Sequence, residues 1–140
     1  MTKNQTARKQ HAATPTTLEL VTEIINACAD ANGKDIRVLD VSESLGLADY
    51  FVVVSGRSDR QVLGITTRAL EIMEKNQVSA VSVEGVEEGH WVLADFGDII
   101  LHVFYEPTRQ HYDIEGLWSQ SKKLEIISQK RGAQLEIRAA

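Results

Sequence analysis

Two mainly apolar runs separated by a short polar turn predict a β-hairpin between residues 91 and 104. This stretch reads WVLADFGDIILHVF, with Gly97 and Asp98 between the two runs. A glycine-containing dipeptide between apolar runs is typical of a two-residue hairpin turn. The predicted cross-strand pairs are Phe96 with Ile99, Ala94 with Leu101 and Val92 with Val103. One face of the hairpin is therefore expected to be wholly apolar and to lie in the core.

The opposite face of the same hairpin mixes large apolar and polar side chains. They are Trp91, Leu93, Asp95, Ile100, His102 and Phe104. Apolar and charged groups that are interleaved in this way are typical of a surface that contacts a partner. The pattern therefore predicts a binding surface on the hairpin.

Helices are predicted where apolar residues recur every three or four positions. The first begins near Thr16, which has capping-box spacing to Glu19. The second begins at Ser58, which has the same spacing to Gln61, and runs to about residue 75. A last helix is predicted from residue 113 to residue 131. Its expected inner side consists of Ile114, Leu117, Trp118, Leu124 and Ile127.

Further strands are expected over residues 35–42, 50–55 and 78–84. Residues 50–54 are all apolar, which predicts a central strand that is covered on both faces. Helices that alternate with strands predict an α/β fold, with helices packed on a mixed sheet of about five strands. We expect one domain over residues 18–131, a disordered polar tail over residues 1–17 and a C-terminal tail over residues 132–140.

Composition narrows the function classes. The 140 residues carry a net charge of −5, which disfavours direct binding of DNA or RNA and is compatible with a basic protein partner. No apolar run approaches the roughly 20 residues that span a bilayer, so no membrane partner is expected. The single cysteine, Cys28, excludes an internal disulfide, lies on an apolar helical stripe and is predicted to be a core residue. A reducing, cytoplasmic location is the simplest reading.

An enzymatic alternative depends on two other features. The turn Gly56–Ser58 opens a helix and could hold an anion through its backbone donors. Asp40, together with Asp95 and Asp98, could bind metal for nucleotidyl transfer. The turn lacks the lysine of a P-loop, and these acids do not alternate along one strand as that chemistry requires. We therefore predict no catalytic residue, no metal and no cofactor, and keep a nucleotide-binding or nucleotidyltransferase-like enzyme as the alternative.

Four motifs, in a fixed order along the chain, carry a resemblance to a known family. They are DYFVVVSGRS at 49–58, VEG at 83–85, the hairpin at 91–104 and RQHYDIEGLW at 109–118. Together they resemble the ribosomal silencing factor family, also called Iojap-like, from about residue 18 to residue 119. The resemblance implies a nucleotidyltransferase-like topology without the catalytic site.

The resemblance also implies a function. Members of the family bind the large ribosomal subunit through its universal protein number fourteen, block joining of the small subunit and repress translation when nutrients are scarce. Their free forms are commonly homodimers. Trp91 matches the family's hairpin tryptophan, which contacts the ribosomal protein, and an aromatic anchor in an acidic surface suits a basic partner. The other partner-binding residues expected are Glu84, Asp95, Asp98, His102 and Tyr112.

Overall fold

The computed structural model describes residues 14–43, 48–117, 122–128 and 134–138. Its helices are α1 (Thr17–Asp30), α2 (Asp59–Lys75), α3 (Glu106–Tyr112) and α4 (Ile114–Leu117). Its strands are β1 (Lys34–Asp40), β2 (Tyr50–Gly56), β3 (Ser82–Glu84), β4 (Trp91–Asp95), β5 (Ile99–Tyr105), β6 (Lys122–Ser128) and β7 (Leu135–Arg138).

The strands form one mixed sheet in the order β3-β4-β5-β2-β1-β6-β7. β2 and β5 run parallel, and the other neighbouring pairs are antiparallel. The predicted α/β fold on a mixed sheet is confirmed. β2 lies near the middle of the sheet and is buried from residue 51 to residue 56, as its continuous apolar run predicted. The strand expected over 78–84 is shorter and covers only Ser82–Glu84.

The predicted last helix is wrong over residues 122–128. The described part of α4 is Ile114–Leu117, residues 118–121 lie outside the described residues, and Lys122–Ser128 form β6, in which Leu124 lies opposite Val38 of β1. Without β6, the outer edge of β1 would expose unpaired backbone donors and acceptors, and β6 supplies their partners. This long-range pairing outweighs the helical spacing of the apolar residues.

The predicted tails are described only in part. Leu135–Arg138, within the predicted C-terminal tail, form β7 and extend the sheet past the expected end of the domain. The prediction for the N-terminal tail falls mostly on residues 1–13, which lie outside the described residues. So do Trp118 and the predicted helix end at residues 131–132.

The local signals at the helix starts are confirmed for α1 and half confirmed for α2. The Thr16 backbone N–H donates to Glu19 Oε1 at 2.9 Å, and the Glu19 N–H donates to Thr16 Oγ1 at 3.1 Å. At α2, Ser58 Oγ accepts from the Gln61 N–H at 3.1 Å. The Gln61 side chain instead accepts from the N–H of Arg57, one residue before the cap.

Helices α1 and α2 cover one face of the sheet. The predicted hairpin register is confirmed: Val92 pairs with Val103 and Ala94 with Leu101. These four side chains are fully buried in the core beneath the two helices. Cys28 lies in the same core, as predicted. Burial raises the pKa of its thiol to about 12, so the thiol stays protonated at neutral pH.

Candidate partner-binding surface

The mixed face of the hairpin lies on the side of the sheet opposite α1 and α2. Trp91 lies beside Phe104 and Leu93 beside His102, as the alternation predicted. The face is not exposed throughout, because Phe104 is fully buried and His102 is only 3% exposed. Ile114 of α4 packs with Phe104, so the C-terminal helices cover part of the surface that the sequence analysis assigned to a partner.

Trp91 stands at the centre of an aromatic cluster on this face. Its ring stacks on Phe104 at a centroid distance of 4.9 Å and meets the tilted ring of Tyr112 at 4.9 Å. Its indole Nε1–H donates to Nδ1 of His102 at 3.2 Å. Contacts on three sides therefore hold the indole in one orientation, while part of its surface stays exposed.

His102 is buried next to Trp91 and accepts the hydrogen bond of its indole N–H. Burial lowers the pKa of this histidine to about 4, so the ring is neutral at pH 7. A neutral ring that accepts on Nδ1 carries its proton on Nε2. Nε2 is buried and has no hydrogen-bond partner among the described residues, and the ring of Phe51 lies 4.6 Å away. His102 thus contacts Trp91 directly, and a partner would meet it only through that indole.

Arg109 anchors the helix that carries Tyr112. The residue is only 9% exposed, and Nη1 donates to the Asp35 carbonyl at 2.6 Å and to Ser55 Oγ at 2.9 Å. These bonds tie α3 to β1 and β2, and so keep Tyr112 beside Trp91. No role was predicted for Arg109 from the sequence, although this residue opens the last of the four motifs. A buried arginine follows from the fold and has no local signature in the sequence.

The predicted acidic residues lie at different distances from Trp91. Glu84 pairs with Leu93, so its exposed side chain shares the face of the aromatic cluster. Asp95 lies four residues along β4 from Trp91, a distance of about 13 Å. Its carboxylate accepts from the Gly97 N–H at 2.8 Å and therefore also shapes the hairpin turn.

Asp98 lies farther still, in the turn itself. Its backbone carbonyl accepts from the N–H groups of Asp49 and Tyr50, at 2.8 and 3.1 Å, and so fixes the start of β2 against the hairpin. The structure thus brings Trp91, His102 and Tyr112 together. It places Glu84 nearby, and it places Asp95 and Asp98 at the other end of the hairpin.

A groove of about 540 Å³ opens beside the aromatic cluster. It is lined by Glu88, His90, Trp91, Pro107, Thr108, His111 and Tyr112. One wall is the loop that links β3 to β4. Gly85 starts this loop at φ +87°, where an added Cβ would collide with the Trp91 carbonyl. Trp91 and Tyr112 were predicted from the sequence but the groove was not, because its walls come from separate parts of the chain.

The turn Gly56–Ser58 and Asp40, the two parts of the enzymatic alternative, do not come together. Asp40 lies opposite Tyr50 at one end of the β1–β2 pair, and Gly56 ends β2 about 20 Å away. A hydrogen bond from Ser42 lowers the pKa of Asp40, and the Arg57 N–H is already bonded to Gln61. Among the described residues, no group of three or more His, Cys, Asp or Glu side chains could hold a metal ion.

No helix within the described ranges combines the length and the apolar character needed to cross a bilayer. The fold and the surface together define a class: an α/β domain that carries a partly exposed aromatic cluster beside an open groove.

Comparison with known proteins gives the family. The family model for "Ribosomal silencing factor during starvation" matches residues 14–139. The ribosomal silencing factor RsfS of Bacillus subtilis is 37% identical over 95 residues, which is 68% of this chain and 80% of that protein. The protein of the same name from Chromobacterium violaceum is 40% identical over 98 residues, covering 70% of this chain and 80% of its own length.

A crystal structure of a Chromobacterium violaceum protein shares the fold. It superposes with a TM-score of 0.74 at 35% identity and covers 85% of this chain and 96% of that chain. The chain therefore belongs to the ribosomal silencing factor family, and the resemblance noted in the sequence is confirmed.

Proposed function

We propose that this chain is a translational repressor that binds the large ribosomal subunit through universal large-subunit protein number fourteen. Bound there, it would leave no room for the small subunit and so would keep ribosomes apart when nutrients are limiting. Membership of the ribosomal silencing factor family supports the ribosomal partner. The observation on which the proposal most depends is the exposed part of Trp91, held in the aromatic cluster.

The cluster has the properties of an interface anchor. Binding energy in protein interfaces concentrates on a few aromatic or arginine side chains that are well packed. Phe104, His102 and Tyr112 already restrict the indole of Trp91 in the free protein. Because the side chain is ordered before binding, little further conformational entropy is lost when a partner covers it.

The charge of the molecule suits a basic partner. The chain carries a net charge of −5, and Glu84 and Glu88 are exposed beside the cluster. Complementary charge speeds encounter and selects among partners more than it adds affinity. An interface of standard size is about 30 Å across, so a contact centred on Trp91 would also reach Asp95. Asp98 would lie near its rim.

The proposed mechanism is steric and needs no catalysis. It places the activity in the cytoplasm, where the ribosomal partner would be. We include a homodimer of the free protein in the proposal, because the face that would bind the ribosome could also pair two copies. Such a dimer would compete with ribosome binding, so activity per chain would rise on dilution.

Sedimentation tests the proposal. The purified protein is mixed with isolated large and small subunits and run on a density gradient at several protein concentrations. We expect co-migration with the large subunit and fewer joined ribosomes. Trp91→Ala should weaken binding about 30- to 1000-fold, because losing a central tryptophan costs about 2–4 kcal/mol. Leu18→Ala is the control, since Leu18 is an exposed apolar residue on α1, away from the cluster.

The outcomes separate the function from the site. Absence of the wild-type protein from large subunits at micromolar concentration would contradict the function itself. Wild-type binding that a folded Trp91→Ala variant retains in full would contradict only the placement of the site.

A further inference from the structure

We propose that the groove beside Trp91 receives an arginine side chain of the partner, and that the Glu88 carboxylate is its counter-charge. The inference rests on the proposed function and deepens it, because it names the chemical group that the surface selects. It concerns Glu88, which neither the sequence analysis nor the family resemblance singled out.

Two aromatic rings form one side of the groove. The rings of Trp91 and Tyr112 lie 4.9 Å apart between centroids, at an interplanar angle of 47°. Tyr112 is 50% exposed, which is unusual for so large a side chain. A guanidinium is planar and stacks on such ring faces, and its aliphatic stem covers apolar surface. The partly exposed rings of Trp91 and Tyr112 thus suit arginine better than a compact ammonium.

The charge of the groove also favours a cationic side chain. Glu88 is exposed and lines the groove, and no lysine or arginine belongs to its described lining. Arg109, on the helix that carries Tyr112, turns away from the groove and donates to Asp35 and Ser55. A cation that enters would therefore meet a carboxylate and aromatic faces, with no arginine or lysine in the described lining to repel it.

The groove is formed before any partner binds. Its volume of about 540 Å³ lies within the range of about 300–1,000 Å³ that is typical of ligand sites, enough for one long side chain and adjoining backbone. The Gly89 N–H donates to the Gly85 carbonyl at 3.0 Å and closes the loop that carries Glu88. Gly89 is buried, and a Cβ added there would lie 3.0 Å from Cβ of Asp59, so the loop lies close against the start of α2.

The first test uses the isolated protein and does not depend on ribosomes. N-acetyl-arginine-N-methylamide and its uncharged citrulline counterpart are titrated to 100 mM while the indole N–H signals are followed by NMR. The Trp91 signal is the one that disappears in Trp91→Phe. We expect the arginine compound to shift it in a saturable way, the citrulline compound to shift it at least fivefold less, and Glu88→Gln to remove the difference.

The second test uses a matched pair of neighbouring acids. Glu87 and Glu88 are both exposed, and only Glu88 lines the groove. Each is changed to glutamine, which removes the same charge from the same loop, and binding to large subunits is measured at fixed salt. We expect Glu88→Gln to weaken binding at least fivefold and Glu87→Gln to change it less than twofold.

The outcomes are decisive for the groove. Equal effects of the two glutamine variants would mean diffuse electrostatic attraction and would overturn the inference. An equal response of the Trp91 signal to the arginine and citrulline compounds would overturn it as well. If wild-type protein fails to bind large subunits, the proposed function falls, and the NMR titration alone decides whether the groove binds arginine.

Discussion

The two faces of strand β5 differ in what their side chains contact. On one face, Leu101 and Val103 are fully buried beneath α1 and α2 in a wholly apolar core. On the other, His102 and Phe104 are also buried, but they support the partly exposed indole of Trp91. Neighbouring residues of one strand thus pack in the core on one side and support the proposed partner-binding surface on the other.

The difference teaches how a small domain presents an aromatic anchor. The helix-covered face needs only close packing of apolar groups, which stabilises the fold without directional bonds. The opposite face contains buried polar groups, and burial is costly for each one that lacks a hydrogen-bond partner, as Nε2 of His102 does among the described residues. His102 accepts from Trp91, and Arg109 donates to Ser55. These bonds restrict the orientation of the aromatic cluster, which apolar packing alone would leave less defined.

The largest expected effect on stability comes from the helix-covered face. Leu101→Ala should lower the free energy of unfolding by about 2–5 kcal/mol, because a fully buried leucine leaves a cavity. Binding to large subunits per folded molecule should stay unchanged. Chemical denaturation and the sedimentation assay measure the two quantities.

Leu93→Ala is the matched variant on the opposite face. Leu93 is only partly buried and lies beside His102 and Glu84, so its loss should cost about 1 kcal/mol or less in stability and should weaken binding. The comparison of the two faces fails if Leu101→Ala weakens binding per folded molecule as much as Leu93→Ala does.

The next effect concerns the pH dependence of the face that carries His102. Burial lowers the pKa of His102 from 6.5 to about 4. Between these two pH values, His102 binds a proton in the unfolded chain and stays neutral in the folded chain. The contribution of the neutral buried ring to the free energy of unfolding is complete above pH 6.5 and is lost as the pH falls towards 4. The full loss in the free energy of unfolding is about 3 kcal/mol.

His102→Asn isolates this contribution, because asparagine does not titrate and can still offer an oxygen to the Trp91 indole. Between pH 7.5 and pH 4.5, urea unfolding of the wild type should lose about 2–3 kcal/mol more than that of the variant. Equal losses in both proteins would mean that His102 titrates normally and is not held in the neutral form.

The smallest expected effects on stability are those of alanine substitutions at two glycines, and they have opposite signs. Gly85→Ala should destabilise the protein by about 1 kcal/mol or more and weaken subunit binding, because φ is +87° and the added Cβ meets the Trp91 carbonyl. Gly64→Ala should stabilise it by about 0.5–1 kcal/mol, since Gly64 lies exposed in α2 and its Cβ would meet nothing. Thermal unfolding measures both, and a stabilising Gly85→Ala would contradict the tight packing of the loop on β4.

The elements that the sequence predicted well depend on near neighbours. The hairpin register follows from alternation about a two-residue turn, and α1 begins at a capping box of residues three apart. The last predicted helix failed for the opposite reason. Leu117 and Leu124 are seven residues apart, which suits a helix, but Lys122–Leu124 pair with β1, more than 80 residues earlier.

The candidate site divides in the same way. Trp91 and Tyr112 were predicted as contact residues, and the structure places them in one exposed cluster. His102 was predicted as a contact as well, and the fold buries it behind Trp91. No role was predicted for Arg109, because its hydrogen bonds are to residues of β1 and β2. No role was predicted for Glu88, because the groove that it lines is completed by residues of α3.

The sequence by itself determined the α/β class, the hairpin with its two unlike faces, the core position of Cys28 and the family. Each depends on periodicity, caps or ordered motifs that are local in the chain. Only the tertiary structure decided the sheet order, the strand β6, the burial of His102 and the groove beside Trp91. These features depend on contacts between distant segments, and the free energy of such contacts cannot be read from the spacing of residues along the chain.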